Sequence, residues 1–516
     1  MKKIIALCLA LTLCLSAFAG CSGGGAGSSG GSSSGEGATS ESSASQAETG
    51  STNEAPYEVN FVYVVASAGS NMDKVREAVN ELALKEINMK VNLIPLTFSE
   101  FTTQLPMMLA ANEALDVFSL SPGVGPTYIA SQYIVDLSPY KDSVPDIVAA
   151  VGEDMIDVGY IGDFLTGFPN VKEQAMPASL IVRKDIFDEL GFSVDDFHVT
   201  TDDLSSFDEI LNLFATVQAA YPNMTMFDGT GALGSQMPAS YVDGLGNNFG
   251  VLANYGQDTT ITNFYESDLY RQFCLIQKEW YDLGYASQDI AVNTDSGEVK
   301  MKAGNTFSFL IPYKPNTKQE KLAQTGYEVE IIPLGETMRV STGMSIWAVA
   351  NASKDPAKAV EFLNWTYSNG EFEDLINWGI EGEDWIELED GTAGYPEGVD
   401  ATNVGYHQDM GWLYPNQFAG HVWDGNPSNI KEQYDEFHAN AIASKGLGFN
   451  FDPTDVTTEI TQLTAVEDKY EKDLAFGVVE DIDATLKAFN DELYAAGLEE
   501  VMQAKQEQLD AWLAEQ

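Results

Sequence analysis

An α/β fold of two lobes followed by a helical C-terminal region is the architecture this chain predicts, on three observations. From Glu58 onward, short β-branched and aromatic runs alternate with apolar residues at helical spacing. Roughly 460 residues follow an N-terminal leader and spacer, about three times the usual domain size, so two cores are expected rather than one. Three amphipathic stretches then close the chain.

The first residues set the compartment. Lys2 and Lys3 precede an apolar run from Ile4 to Phe18 and the small residues Ala19 and Gly20, the order of a secretory signal. That run is shorter than the ~20 residues a bilayer span needs, so residues 1–20 read as a leader and not as a membrane helix. Leu15 to Cys21 resembles the lipobox of bacterial lipoproteins, with Phe18 departing from the usual aliphatic residue. Cys21 would then be the lipidated first residue, anchored to the outer face of the cell membrane. Ser22 to Ala55 holds eleven Ser and nine Gly with no Lys, Arg or Pro. Such a segment cannot bury enough surface to offset its ordering entropy, so 21–55 reads as lipidated cysteine plus tether.

Composition excludes several partners. The chain carries 78 Asp plus Glu against 26 Lys plus Arg, a formal charge of −52, which repels nucleic-acid phosphates and anionic lipid. Of the four cysteines, Cys8 and Cys14 leave with the leader and Cys21 takes the lipid, so Cys274 is a lone thiol. Its place in an amphipathic stretch with Trp280 predicts a buried, unreactive role.

The elements follow in order. Glu58–Val65, Asn71–Ile87 and Lys90–Leu96 form a β-α-β unit, and a helix from near Ser99 meets Pro106, which is expected to kink or split it. Asp116–Ser121 is a strand before a Gly123, Gly125, Pro126 loop. Strand Ser179–Val182, helix Lys184–Leu190, a helix near Asp202–Ala219 and strand Asn223–Phe227 continue the rhythm. Strands are expected at Thr306–Ile311, Tyr327–Pro333 and Gly343–Ala350, and Pro356 starts a helix carrying Val360, Leu363 and Tyr367 on one face. From Gly379 to about Asn450 the chain is an aromatic, acidic loop region. Helices Thr454–Asp473, Asp483–Ala496 and Leu498–Gln516 end it.

The order of these pieces resembles the extracellular solute-binding proteins typified by maltose-binding protein. Phe168-Pro169-Asn170-Val171-Lys172-Glu173, with Ser179 to Gly191 after it, is similar to the family's first crossover between lobes. Met301 to Gly304 with Phe307 to Pro312 resembles a return crossover, and Ser341 to Ala350 with Asn351 to Leu363 a third. Asn377 to Gly382 and Gln506 to Leu513 resemble a lipoprotein subgroup with its own C-terminal domain, of the DUF3502 kind. The resemblance implies a periplasmic-binding-protein-like fold of type II, with 56–170 plus 312–345 as lobe 1 and 171–311 plus 346–516 as lobe 2. It implies a monomeric, non-enzymatic component of an ABC importer that closes by a hinge on a solute and hands it to permease subunits, with no cofactor.

Sugars present hydroxyls and weakly apolar C–H faces, so their sites pair aromatic platforms with polar and charged side chains. Trp378, Trp412 and Trp423 in the loop region are candidates, as is Trp347 in a predicted strand, although each also suits packing. Ser121 follows a strand at its carboxyl end, Tyr160 precedes the first crossover, and Tyr241 and Asn247 lie in a Gly-rich loop. Glu173 aligns roughly with a crossover acid that binds sugar in maltose-binding relatives. A non-sugar solute such as a peptide remains an alternative, and so does a surface glycoside hydrolase, which needs only two suitably placed carboxylates. Gly229-Thr-Gly-Ala-Leu-Gly234 fits a dinucleotide fingerprint, yet opens no clear helix in an early β-α-β unit, and His198, His407, His421 and His438 lack metal-ligand spacing.

Overall fold

The computed structural model describes residues 55–120, 123–341 and 344–516. The leader, Cys21, nearly all of the spacer and Ser121 lie outside the described residues. Two sheets organise the body. The first uses β1 (Tyr57–Val64), β2 (Met89–Leu96), β3 (Val117–Leu120), β4 (Phe168–Pro169) and a strand that arrives much later. The second uses β5 (Ala178–Arg183), β6 (Thr225–Phe227), β7 (Thr306–Pro312) and β8 (Val329–Pro333). The late strand, β9 (Ile346–Val349), completes the first sheet in the order β2-β1-β3-β9-β4.

β1 pairs parallel with β2 and β3, as expected of a β-α-β unit, whereas β9 runs antiparallel to β3 with Trp347 opposite Ser119. In the second sheet, ordered β8-β5-β7-β6, β5 lies antiparallel to both β7 and β8. Every β5 side chain is buried, consistent with a strand covered on both faces.

Each sheet carries its own apolar core. Val59, Phe61, Tyr63, Trp347, Phe362 and Phe372 belong to one cluster, while Leu180, Phe214, Trp280 and Leu310 belong to another. The C-terminal helices Thr457–Ala475, Ile482–Ala495 and Leu498–Leu513 add Leu463, Leu474, Phe489, Val501 and Leu509 to the second core. Cys274 is buried in that core as expected, and burial pushes its thiol up to about 12.

Three expectations change. The resemblance places residues 312–345 in the first lobe and 346–516 in the second, but β8 pairs with β5 in the second sheet and β9 with β3 in the first. The helix Pro356–Thr366, the helix Gly370–Asn377 and the buried Tyr406 and Tyr414 also pack in the first core. The Met301–Pro312 stretch is not a crossover, because β7 lies inside the second sheet. The crossing segments are instead 170–177, 334–341 with 344–345, and a third near 415–443, where Val171 N meets Pro415 O at 2.9 Å and Met338 pairs with Ile442. Finally, the helix Phe98–Ala110 runs unbroken through Pro106; Thr102, whose carbonyl Pro106 deprives of a donor, is exposed to water.

Gly229 to Gly234 lies against the second sheet. A Cβ on Gly231 would lie 2.3 Å from Leu310 O, so this glycine permits close packing of the loop on β7.

Candidate functional site

The carboxyl ends of β1, β2 and β3 bring three loops to one edge, the place where open α/β sheets hold ligands. Thr97 caps the next helix there, its side chain accepting from Glu100 N while Glu100 accepts from Thr97 N. That cap presents Phe98, 47% exposed, at the strand end. Trp412, 39% exposed, stacks on it with ring centroids 6.2 Å apart and planes 23° from parallel. Two exposed, nearly parallel aromatics at a strand end are an unusual expenditure of apolar surface.

Trp412 is tied to the hinge. Fully buried Asn170 donates to Trp412 O at 2.7 Å and accepts from Ser345 N at 2.9 Å, so one side chain joins two crossing segments to the aromatic platform. The Lys172 ammonium sits 5.7 Å from the Trp412 ring centre.

Glu173 is 8% exposed, with Lys172 Nζ at 3.6 Å, Lys314 Nζ at 3.9 Å and Gln417 donating at 3.4 Å. Burial works to raise its carboxyl, but Lys314 and Lys172 outweigh that and hold it below the ordinary value. Lys314 also meets Glu320 at 3.0 Å, and burial works to lower its ammonium while Glu173 and Glu320 raise it beyond the usual lysine range. The result is a buried charge ladder running from a crossing segment to the helix Thr317–Thr325.

Glu173, Lys314, Glu320, Gln417 and Trp412 line one cavity of about 370 Å³, together with Trp378, Trp423 and Asp409. Trp378 and Trp423 pack with centroids 4.9 Å apart, and Trp378 Nε1 donates to His421 O at 2.9 Å. His421 is fixed in turn by Asp374, which accepts from its backbone N at 2.6 Å and meets its Nδ1 at 2.7 Å. The wall is drawn from both sheets' surroundings: Trp378 follows the helix Gly370–Asn377 of the first core and Trp412 stacks on Phe98 after β2, whereas Lys314 follows β7 of the second sheet and Glu320 lies on the helix after it.

A second cavity of about 410 Å³ lies between Leu120 and Gly123 on one side and Leu245, Gly246 and Asn247 on the other, with Ser341 and Met344 of a crossing segment at its back. The loop wall is held from behind. Lys505 Nζ donates to Gly244 O at 3.0 Å, to Asn247 O and Oδ1 at 2.9 Å, and to Gly250 O at 2.8 Å.

Of the sequence candidates, Glu173, Trp378, Trp412 and Trp423 meet in the first cavity and Asn247 lines the second, its side chain engaged by Lys505. Ser121 lies outside the described residues. Two candidates are corrected. Trp347 is 1% exposed and stacks on Phe61 at 5.0 Å, because strand alternation turns it into the first core. Tyr241 is half-buried and packs edge-on against Tyr255 at 5.3 Å, away from both cavities. Tyr160 lines neither of these two; it faces a third cavity.

Sequence reasoning missed Phe98, Lys314 and Lys505. Phe98 had a readable signal in its capping box at a strand end. Lys505 had one too: it falls between Val501 and Leu509 at helical spacing, a charge inside an apolar stripe. Lys314 follows a strand in an unremarkable loop, and nothing local marks it.

Among the described residues no group of His, Cys, Asp or Glu is arranged to hold a metal ion, and no helix is long and apolar enough to cross a membrane.

Residues 77–380 match the family described as bacterial extracellular solute-binding protein, and 445–514 match DUF3502, a domain of unknown function. A carbohydrate ABC transporter substrate-binding protein of Streptococcus pneumoniae serotype 4 is 21% identical, covering 88% of this chain and 90% of its own. The N-glycan transport solute binding protein NgtS of Streptococcus pneumoniae superposes with a TM-score of 0.74 at 17% identity, over 89% of this chain and 99% of that one. An extracellular solute-binding protein of Bifidobacterium longum subsp. infantis gives 0.61 at 15% identity, over 90% and 99%. At such identities these likenesses establish the shared fold, that of two-lobed solute binders.

Proposed function

The chain belongs to the bacterial extracellular solute-binding protein family, and from that premise we propose that it captures an oligosaccharide in the interlobe cleft and delivers it to an ABC permease. The family is extracytoplasmic and its members bind rather than catalyse. One observation carries the carbohydrate reading: the cavity that sets Trp412, Trp378 and Trp423 beside the Glu173–Lys314 ladder, with Phe98 stacked on Trp412. Aromatic faces accept the C–H side of a pyranose, and the ladder offers fixed acceptors and donors for paired hydroxyls. The names of the pneumococcal relatives point the same way.

Capture works as a population shift. A solute touching Trp412 on one lobe and Lys314 on the other binds the closed form better than the open one, so it draws the lobes together about the three crossing segments. Lipid on Cys21 would hold this clamp at the outer membrane face next to the permease, with residues 22–55 as its leash.

The test is a panel of mono- and oligosaccharides with peptides as controls, read by thermal shift and small-angle scattering. Sugar-dependent stabilisation with a smaller radius of gyration is expected. Response to peptides alone, or release of hydrolysed sugar, would overturn the reading.

A further inference from the structure

The third cavity, about 620 Å³, has one wall from the first lobe and one from the domain of unknown function. Tyr160, Lys141 and Asp157 form the first wall; Asn450, Asp452, Gln508 and Trp512 lie on the other. Phe449 and Asn450 line this cavity and the second one alike, so the two adjoin.

Its far wall is built rather than incidental. Gln508 on the last helix accepts from Asp452 N and donates to Asp452 O, both at 2.9 Å, which locks the 450–452 turn onto that helix. Trp512 packs edge-on against Phe449 at 5.9 Å and stays half-exposed. Across the cavity Tyr160 is likewise half-exposed, with Lys141 Nζ 5.5 Å from its ring centre and 3.4 Å from Asp157.

The chemistry is selective. Asp163, Asp452 and Glu515 add negative charge, and Lys141, the one lysine lining the cavity among the described residues, is paired with Asp157, so anionic groups are disfavoured. Two half-exposed aromatics lining one cavity with amides and carboxylates suit a neutral polyhydroxylated ring.

We propose that the domain of unknown function forms, with Tyr160, a distal subsite for the far unit of a saccharide longer than a disaccharide, reaching from the second cavity past Phe449. This rests on the oligosaccharide reading above and assigns the C-terminal domain a share of ligand specificity. Because Trp512 and Tyr160 belong to opposite lobes, occupation of this subsite also favours closure.

The experiment is calorimetric titration of the mature chain, and of Trp512→Ala and Tyr160→Ala, with malto-, manno- and xylo-oligosaccharides from mono- to hexasaccharide. In the series that binds, affinity is expected to rise with length beyond the disaccharide. Each substitution should remove about tenfold of that gain, the worth of one aromatic platform, while leaving disaccharide affinity unchanged. Thermal melts check that both variants fold, and Tyr160→Ala suffices if Trp512→Ala does not. Losses equal for short and long sugars, or no loss, would overturn the distal subsite while leaving the function intact. Failure of the unsubstituted chain to bind any series would sink both.

Discussion

Trp412 lies over Phe98 at 6.2 Å, joining the aromatic loop region to the first residue of a helix near the start of the body. Neither ring is needed to fill a core, since both are substantially exposed.

Replacing either with alanine should therefore cost ligand and not stability. Trp412→Ala and Phe98→Ala are each expected to weaken oligosaccharide binding about tenfold or more. Titration calorimetry measures the first effect, and unchanged melting temperatures confirm the second.

Glu173 answers to two lysines. Glu173→Gln leaves Lys172 and Lys314 facing each other around a neutral amide, and a buried pair broken from one side costs roughly 3 kcal/mol. Denaturant unfolding should show that loss, and binding should fall with it. An unaltered midpoint would mean that water already screens the ladder.

Lys505 is fully buried, and burial pushes its pKa down to about 7 against the attraction of Asp243. Lys505→Met would strand the oxygens of Gly244, Asn247 and Gly250, at a cost of roughly 3 kcal/mol. Hydrogen exchange should accelerate in residues 244–250, and ligand affinity should drop because Leu245 to Asn247 wall the second cavity. Exchange confined to the global unfolding rate would contradict this.

His407 packs against Trp378, Trp423 and Tyr395, and burial lowers its pKa from 6.5 to about 4. The unfolded chain thus binds a proton between those values that the folded chain refuses, so stability falls as pH drops from 6.5 toward 4. Melting temperature against pH should be flatter in His407→Phe over that window. Identical slopes would remove His407 from the account.

Glu373 is 1% exposed, and neither carboxyl oxygen has a hydrogen-bond partner among the described residues. Burial, aided by Asp374, raises its pKa well above 4.5, so the protonated form is favoured on folding and stability declines as pH rises through that range. Glu373→Met is expected to stabilise the protein at neutral pH by about 1–3 kcal/mol, seen as a higher melting temperature.

Much of this was legible along the chain. Alternating apolar runs announced the α/β body, and Val501 and Leu509 announced the last helix. The buried setting of Cys274 followed from its stripe. The loop tryptophans were marked by residue type in a region without helix or strand spacing, and Glu173 by the resemblance of its segment to a family crossover.

What the chain could not declare was partnership. Periodicity reports which face of an element is buried, and that is a local property; it made Ile346–Val349 a strand without saying that it returns to β3, and Val329–Pro333 a strand without joining it to β5. The same limit separates Trp347 from Trp412, since burial of a large ring depends on what distant segments bring against it. Only the tertiary structure set Phe98 against Trp412, Lys314 beside Glu173 and Trp512 in one cavity with Tyr160, because strand pairing and lobe contact are decided by free energy summed over residues far apart in sequence.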